Sequence, residues 1–240
     1  WHIMKYYSVF GYNDFVLCLG YKGDVIKDYF MNYESHTCDI RLSLGANKKV
    51  NFINSHPESD WSITLAETGE GSMTGARVKC IEKYIDDDVF MLTYGDGVGD
   101  IDIDKLIEFH HFHGKILTVT GVNPPGRFGE IVFNDSSQVT GFNEKPQVSG
   151  GRISGGYFIC NREIFNYLNE DINLIFEREP MEKLVRDKQM MVYEHSGFWQ
   201  PMDTHREYLL LNEMCNSEHA PWIEVINKKA KVGKSEFELV

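Results

Sequence analysis

Short apolar runs alternate with stretches of helical periodicity in the first half of the chain, and this alternation most limits its possible folds. Residues 22–33 repeat apolar side chains at helical spacing after the first run. The alternation predicts a mixed or parallel sheet covered by helices. The runs that predict buried strands are residues 14–20, 89–94 and 115–122.

Helix boundaries can be assigned after the second run. Asp102 is a suitable N-cap for a helix in which Ile103, Leu106 and Ile107 share a face, and Gly114 ends it. Further strands are predicted at residues 129–133, 139–143, 155–160 and 190–194, and further helices near 181–188 and 204–216. Residues 223–240 are lysine-rich, which favours a solvated and frayed tail.

Composition excludes several classes of function. The formal charge is −12, which disfavours a nucleic-acid partner, although a small anionic substrate remains possible beside local cations. No apolar run approaches the about 20 residues that span a bilayer, so we expect no membrane partner. The five cysteines are scattered without a C-x-x-C pair, which favours reduced thiols in a cytoplasmic protein.

A helix predicted over residues 1–10 precedes the first apolar run, with Gly11 as its stop. A helix that leads into a buried parallel strand is usually the crossover of a β-α-β unit. We therefore expect a partner strand upstream of Trp1.

Two aspartates lie in motifs that suit a metal on phosphate. Asp96 lies between Gly95 and Gly97 at the end of an apolar run, where ligands of open α/β sheets bind, but an Asp-Gly turn explains the same residues. Asp203, in Phe-Trp-Gln-Pro-Met-Asp-Thr, is either the N-cap of the next helix or a second ligand beside Asp96. Mg²⁺ is typically held by one or two carboxylates plus substrate phosphates.

Two further motifs suit a sugar phosphate. In Glu144-Lys145-Pro146, Lys145 offers a cation for phosphate and Glu144 an acceptor for sugar hydroxyls, whereas a surface ion pair is the alternative. In the Ser-Gly-Gly-Tyr-Phe motif that begins at Ser154, paired glycines within a strand indicate close approach of a ligand or a β-bulge.

Three other segments carry polar residues of interest. The loop over residues 71–77 opens a helix, as anion-binding loops do, although an ordinary capped turn would look the same. Arg127 in Pro-Pro-Gly-Arg-Phe-Gly either meets phosphate or is structural. His110 and His113 have a spacing found in metal sites, but a solvated helix end is the preferred interpretation.

The order of these motifs resembles the sugar-phosphate nucleotidylyltransferase family. The series runs Ser-Met-Thr-Gly-Ala-Arg, Tyr-Gly-Asp-Gly, Pro-Pro-Gly-Arg-Phe-Gly, Phe-x-Glu-Lys-Pro, Ser-Gly-Gly-Tyr-Phe and Gly-Phe-Trp-Gln-Pro-Met-Asp-Thr. The first, third and last of these resemble the members that use CTP and glucose 1-phosphate. The likeness covers residues 1–222 as one domain, with 223–240 as a tail outside it.

The resemblance implies roles for individual residues. Asp96 and Asp203 match the Mg²⁺-binding aspartates, and Lys145 matches the lysine on the sugar phosphate. The residues implied to bind the nucleotide are Ser72, Thr74, Arg77 and Gly95. Glu144 and Gly156 are implied to bind the hexose, and Gly129 is a further implied substrate-binding residue. Ser154 departs from the pattern, because the family usually has asparagine there.

The implied fold is an α/β three-layer sandwich with a mixed Rossmann-like sheet of the nucleotide-diphospho-sugar transferase type. The implied reaction joins CTP and glucose 1-phosphate into CDP-glucose and pyrophosphate, for deoxysugars of surface polysaccharide, in a homo-oligomer for which the family implies a hexamer. A sister enzyme that uses UTP or dTTP is one alternative. The family's first strand and glycine-rich phosphate loop have no match in the printed sequence. A catalytically impaired sugar-nucleotide-binding or oligomerising remnant is therefore the other alternative, and we expect little activity from residues 1–240 alone.

Overall fold

The computed structural model describes residues 1–45, 48–54, 56–124, 130–143, 151–217 and 219–237. The strands are β1 Asp14–Leu19, β2 Asp39–Ser43, β3 Lys49–Ile53, β4 Ser62–Glu67, β5 Val89–Thr93, β6 Gly97–Gly99, β7 Leu117–Val122, β8 Glu130–Phe133, β9 Val139–Asn143, β10 Ile153–Asn161, β11 Met190–Glu194 and β12 Trp199–Pro201. The α-helices are α1 His2–Ser8, α2 Gly23–Met31, α3 Tyr33–Thr37, α4 Thr74–Cys80, α5 Ile103–His113, α6 Glu179–Arg186, α7 His205–Asn216 and α8 Pro221–Phe237. Short 3₁₀ helices cover Glu82–Tyr84 and Arg162–Tyr167.

The chain divides into two compact units. Unit 1 comprises Trp1–Gly11, Asp87–Ile164 and Leu184–Val240, and unit 2 comprises Tyr12–Asp86 and Phe165–Lys183. Unit 1 contains a four-stranded sheet in the order β11-β7-β10-β5, in which β11 and β7 are parallel and β10 is antiparallel to both neighbours. The predicted α/β class with a mixed sheet is therefore confirmed.

The core of unit 1 forms where the sequence predicted buried elements. All six residues of β7 are buried, and Ile103 and Leu106 of α5 are fully buried. Asp102 caps α5, because its side chain accepts a hydrogen bond from the Lys105 N–H at 3.2 Å. Gly114 ends the helix in the left-handed region, at φ 61°, where glycine has no Cβ penalty. Both predicted helix boundaries are confirmed.

Unit 2 contains a parallel pair and a hairpin. Strands β1 and β4 pair in parallel from Asp14 opposite Ser62 to Leu19 opposite Glu67. Strands β2 and β3 form an antiparallel hairpin whose strand residues are all exposed. The single helix predicted over residues 22–33 is instead two helices, because Asn32 leaves helical geometry at φ −109° and ψ 19°. Val25 and Ile26, two of the apolar side chains that repeat at helical spacing, are exposed.

The predicted frayed tail is wrong for residues 223–237, which lie in helix α8. Trp222 and Ile226 of this helix are buried, and the Trp222 indole stacks on Phe198 at a centroid distance of 5.7 Å. The indole N–H also donates to Nδ1 of His2 at 3.3 Å. These apolar contacts outweigh the lysine-rich composition and order the segment. None of the helices in the described ranges is long and apolar enough to cross a membrane.

The predicted solvated helix end is wrong for His110, which is buried beneath α5. Its Nε2 donates to the Asn161 side-chain oxygen at 2.8 Å, and its Nδ1 accepts from the Thr118 hydroxyl at 2.7 Å. The same hydroxyl accepts from Nε2 of His113 at 2.7 Å, while Nδ1 of His113 accepts from the Lys115 N–H at 2.9 Å. One neutral tautomer of each imidazole satisfies the whole chain of hydrogen bonds.

This network predicts acid sensitivity of the fold. Burial is the main reason that the pKa values of His110 and His113 lie below their ordinary 6.5. In mild acid the unfolded chain binds more protons at these two histidines than the folded chain does. The stability that the neutral histidines contribute is therefore complete above pH 6.5 and is lost as the pH falls towards their pKa values in the folded state. We expect His110→Gln to flatten the loss of unfolding free energy between about pH 7 and pH 5, measured by urea denaturation. His111→Gln, at an exposed position of the same helix, should keep the wild-type slope. Equal slopes for wild type and His110→Gln would contradict this interpretation.

Candidate functional site

A short antiparallel ribbon in unit 1 has the two aspartates predicted to bind metal just beyond the ends of its paired strands. Strand β6 pairs with β12, with Gly97 opposite Pro201 and Gly99 opposite Trp199. The ladder extends by one hydrogen bond, because the Met202 N–H donates to the Asp96 carbonyl at 2.7 Å. Asp96 therefore precedes one strand of the ribbon, and Asp203 follows the other one residue beyond this bond.

Three tyrosine hydroxyls hold the segment that carries Asp96. Tyr157 donates to the Gly97 carbonyl at 3.0 Å, and Tyr6 donates to the Ile101 carbonyl at 2.9 Å. Tyr7 is hydrogen-bonded to the hydroxyl of Thr93. Burial raises the pKa of all three phenols, so they remain neutral hydrogen-bonding groups at physiological pH.

The glycine pair in β10 forms a β-bulge beside this segment. The pairing of β10 with β7 shifts register between Ser154 and Phe158, and Gly156 has φ +74°. A Cβ at Gly156 would lie 3.0 Å from the Tyr94 ring, so a larger residue would be both strained and crowded. The Trp199 indole N–H donates to the Gly155 carbonyl at 2.8 Å, which ties the ribbon to the bulge. The bulge interpretation of the glycine pair is confirmed.

The local capping pattern leaves the Asp203 carboxylate available. The N-cap of α7 is Thr204, and Glu207 completes a capping box with it. The Glu207 carboxylate accepts the N–H groups of both Asp203 and Thr204 at 2.9 Å. The expectation that Asp203 caps the helix is therefore wrong, because the neighbouring threonine takes that position.

Two exposed carboxylates lie just beyond the paired residues of the ribbon. Asp96 and Asp203 are both exposed, and neither carboxylate has a hydrogen bond or ion pair with another residue in the described ranges. Gly95 faces open space, because no atom lies within 4 Å of a Cβ built there. Within the described part of the chain, no cluster of three or more His, Cys, Asp or Glu residues forms a metal cage. A pair of carboxylates fits Mg²⁺, because this ion usually takes its remaining oxygen ligands from water and phosphate.

The predicted nucleotide-binding residues of unit 2 form a second cluster. The Arg77 guanidinium donates to the Leu19 carbonyl at 3.1 Å, to the Thr68 hydroxyl at 2.9 Å and to the Glu70 carbonyl at 3.2 Å. It therefore fixes the loops after β1 and β4. The Thr74 hydroxyl donates to the Glu177 carboxylate at 2.7 Å and accepts from the Phe176 N–H at 2.9 Å. These contacts give Arg77 and Thr74 structural roles, and nucleotide binding by them stays a prediction.

Of the other residues predicted to bind substrate, some lie within the described residues and some lie outside them. Ser72 is half-buried in unit 2, and its N–H donates to the Gly69 carbonyl at 3.4 Å. The Ser154 hydroxyl accepts from the Gly156 N–H at 3.4 Å, so this departure from the family pattern supports the bulge. Lys145, Glu144, Gly129 and Arg127 lie outside the described residues. The structure thus brings Gly95, Asp96, Gly156 and Asp203 together in unit 1.

Sequence reasoning missed the residues that build this site from beneath. Trp199 lies in the motif from which only Asp203 was predicted to act, and Tyr157 follows Gly156, which was predicted to act without it. Tyr6 and Tyr7 lie in the helix predicted over residues 1–10 and had no further role assigned. Hydroxyl and indole donors carry no local signal of their partner, because the carbonyls that they reach lie far away in the sequence.

The chain is similar in sequence to nucleotidyl transferases. The family model described as Nucleotidyl transferase matches residues 26–217. The chain is 44% identical over 223 residues to glucose-1-phosphate cytidylyltransferase of Salmonella typhimurium, covering 92% of this chain and 85% of that protein. It is 40% identical to a probable glucose-1-phosphate cytidylyltransferase of Bacillus subtilis, with the same coverage of each.

Solved structures share the fold at low sequence identity. HddC from Yersinia pseudotuberculosis superposes with a TM-score of 0.59 at 20% identity, over 88% of this chain and 82% of that chain. A putative glucose-1-phosphate thymidylyltransferase from Bacillus anthracis gives a TM-score of 0.60 at 15% identity, over 89% and 80% of the two chains. These superpositions support the α/β assignment.

Proposed function

The chain belongs to the nucleotidyl transferase family, and we propose that it transfers CMP from CTP to glucose 1-phosphate, giving CDP-glucose and pyrophosphate. The single observation that supports this most is the similarity over nearly the whole chain to glucose-1-phosphate cytidylyltransferases. The matched range includes the ribbon that carries Asp96 and Asp203.

In the proposed reaction, a phosphate oxygen of glucose 1-phosphate attacks the α-phosphorus of CTP in line. The new oxygen–phosphorus bond forms as the bond to the β-phosphate oxygen breaks, and pyrophosphate leaves with that electron pair. Both reactants are anions, so the protein contributes mainly by positioning them and by balancing charge. No covalent enzyme intermediate is required.

Asp96 and Asp203 would hold Mg²⁺ in this scheme. Two unpaired carboxylates in a chain of net charge −12 would repel a nucleoside triphosphate unless a cation lay between them. When bound, Mg²⁺ would neutralise phosphate charge and orient the reacting groups. The ribbon's part is to hold the two aspartates on adjacent strands before the substrates arrive.

Lys145 and Glu144 would serve the sugar phosphate. These assignments come from the resemblance of the Phe-x-Glu-Lys-Pro segment to the family pattern. The ammonium group of Lys145 would balance the phosphate, and the Glu144 carboxylate would accept from sugar hydroxyls. The proposed product is an activated sugar for surface polysaccharide, made in the cytoplasm.

A homo-oligomer is part of the proposal, again from the resemblance. Ile40 pairs with Phe52 and Leu42 with Val50 across the β2–β3 hairpin, so the four side chains share one face. All four are exposed, and a two-stranded hairpin is marginally stable alone. Association of a second copy would bury this face.

The choice of nucleotide is directly testable. Equimolar CTP, UTP and dTTP, offered together with glucose 1-phosphate and Mg²⁺, should give mainly CDP-glucose when the products are separated by chromatography. Preferential formation of UDP-glucose or dTDP-glucose would identify a sister enzyme instead. No nucleotide sugar from any of the three would contradict the proposed function.

Removing either metal-binding carboxylate should abolish most turnover. We expect Asp96→Asn and Asp203→Asn to lower kcat/KM by on the order of 10²-fold or more at fixed Mg²⁺, because a neutral amide is a poor ligand for a hard cation. Asp135→Asn, at an exposed turn of unit 1, is the matched control and should behave as wild type. Wild-type kinetics in both site variants would remove these aspartates from the mechanism.

Lys145→Ala tests the sugar-phosphate assignment. Loss of the cation should lower kcat/KM for glucose 1-phosphate by on the order of 10²-fold while CTP binding and the thermal midpoint stay unchanged. Lys145→Arg keeps the charge and should retain more activity than the alanine variant. Unchanged turnover of Lys145→Ala would leave this residue as part of an ordinary surface.

A further inference from the structure

A buried histidine lies at the end of the ribbon opposite to the two aspartates. The first ladder position at that end joins the Asp100 N–H to the Phe198 carbonyl at 3.1 Å. Nε2 of His195 donates to the same carbonyl at 3.1 Å and lies 3.0 Å from Oδ1 of Asp100. The His195 side chain therefore contacts both strands of the ribbon, through the chain just before β12 and through the residue just after β6.

The His195–Asp100 pair lies in a closely packed part of unit 1. The His195 side chain is 9% exposed, and Oδ1 of Asp100 is buried without a hydrogen bond of its own in the described part of the chain. The polar group closest to this oxygen is the His195 imidazole, at 3.0 Å. A Cβ at Gly197 would collide with Asp100 and would lie 2.7 Å from Cε1 of His195. Only glycine lets the chain pass this close to the pair.

The backbone of His195 is itself fixed from two directions. Its N–H donates to the Gly121 carbonyl at 2.9 Å, which attaches it to the end of β7 in the main sheet of unit 1. Its carbonyl accepts from the Arg152 guanidinium at 2.6 Å. The same guanidinium bonds to the Ser196 hydroxyl and to the Glu194 carboxylate, both at 3.0 Å. His195 therefore connects the ribbon to the main sheet of unit 1.

We propose that His195 and Asp100 are positioning residues that fix the alignment of β6 with β12 and so set the separation of Asp96 and Asp203. The inference rests on the proposed function, because it assumes that these two aspartates hold the metal ion together. The ribbon has only three residues in each strand, so few ladder bonds oppose a shift. A slip of one residue moves a strand by about 3.4 Å, which exceeds a Mg–O distance of about 2.1 Å.

The test compares variants that remove or keep the donor at residue 195. His195→Phe keeps a ring of similar volume without Nε2, whereas His195→Gln keeps an N–H donor at similar reach. The first readout is Mn²⁺ binding in the presence of CTP, followed by electron paramagnetic resonance without glucose 1-phosphate. We expect the Mn²⁺ dissociation constant to rise about 10-fold or more in His195→Phe, as for lost supporting contacts around other metal sites, and to recover in His195→Gln.

A second readout needs neither metal nor substrate. Hydrogen exchange of the Asp100 and Met202 amides, which close the two ends of the ribbon, should be at least about tenfold faster in His195→Phe. Asp100→Leu keeps a side chain of similar shape without the Oδ1 oxygen, and it should shift both readouts in the same direction as His195→Phe.

Asp203→Asn separates failure of this inference from failure of the proposed function. Weaker Mn²⁺ binding in Asp203→Asn, with wild-type binding and exchange in His195→Phe and Asp100→Leu, would overturn the positioning role alone. A lowered thermal midpoint with unchanged Mn²⁺ binding would overturn it too, since the pair would then serve only stability. Unchanged Mn²⁺ binding in Asp203→Asn would overturn the metal site itself, and the positioning role with it.

Discussion

The pairing of β6 with β12 is the interaction on which the site depends. It joins two segments that lie far apart in the sequence, so its formation closes a long loop of the chain. Once formed, it places Asp96 and Asp203 on neighbouring strand ends. The ribbon is too short to be stable alone, and its stability comes from the groups that bond to it.

Those supporting groups surround the ribbon on several sides. Tyr157 and Trp199 link it to the bulge in β10, and Tyr6 of α1 reaches the chain just beyond β6. Each buried donor meets a backbone carbonyl, so loss of a donor would leave that carbonyl unsatisfied at a cost of about 1–3 kcal/mol. His195 and Asp100 extend the same principle to the end of the ribbon that is away from the aspartates.

The two aspartates beside the ribbon differ from other acidic side chains of unit 1 in their electrostatic surroundings. The chain is strongly acidic, with a formal charge of −12. Elsewhere in unit 1, acidic side chains such as Asp104 and Glu194 are paired with Lys229 and Arg152. Asp96 and Asp203 have no such partner among the described residues. Carboxylates left exposed and unpaired beside an open glycine are suited to a divalent ion and its phosphate ligands.

The sequence alone determined the elements whose signals are local. Asp102 caps α5 and Gly114 ends it, because capping and a left-handed stop depend on residues within one helical turn. The order of the motifs was also enough to predict the α/β class and the family, since each motif marks a strand end or a loop that the fold uses. Asp96 and Asp203 became candidates in this way, as separate residues.

Only the tertiary structure decided how these residues are supported and what the remaining segments do. The capping of α7 by Thr204 rather than Asp203 is an exception, because the Thr204–Glu207 capping box is a local pattern that the sequence already contains. His110 and α8 are buried because their partners, Asn161 and α1, come from distant parts of the chain. The same reason hid the His195–Asp100 pair. Hydrophobic periodicity reports which face of an element is apolar, but the partner that covers or bonds to that face is fixed only when the chain has folded.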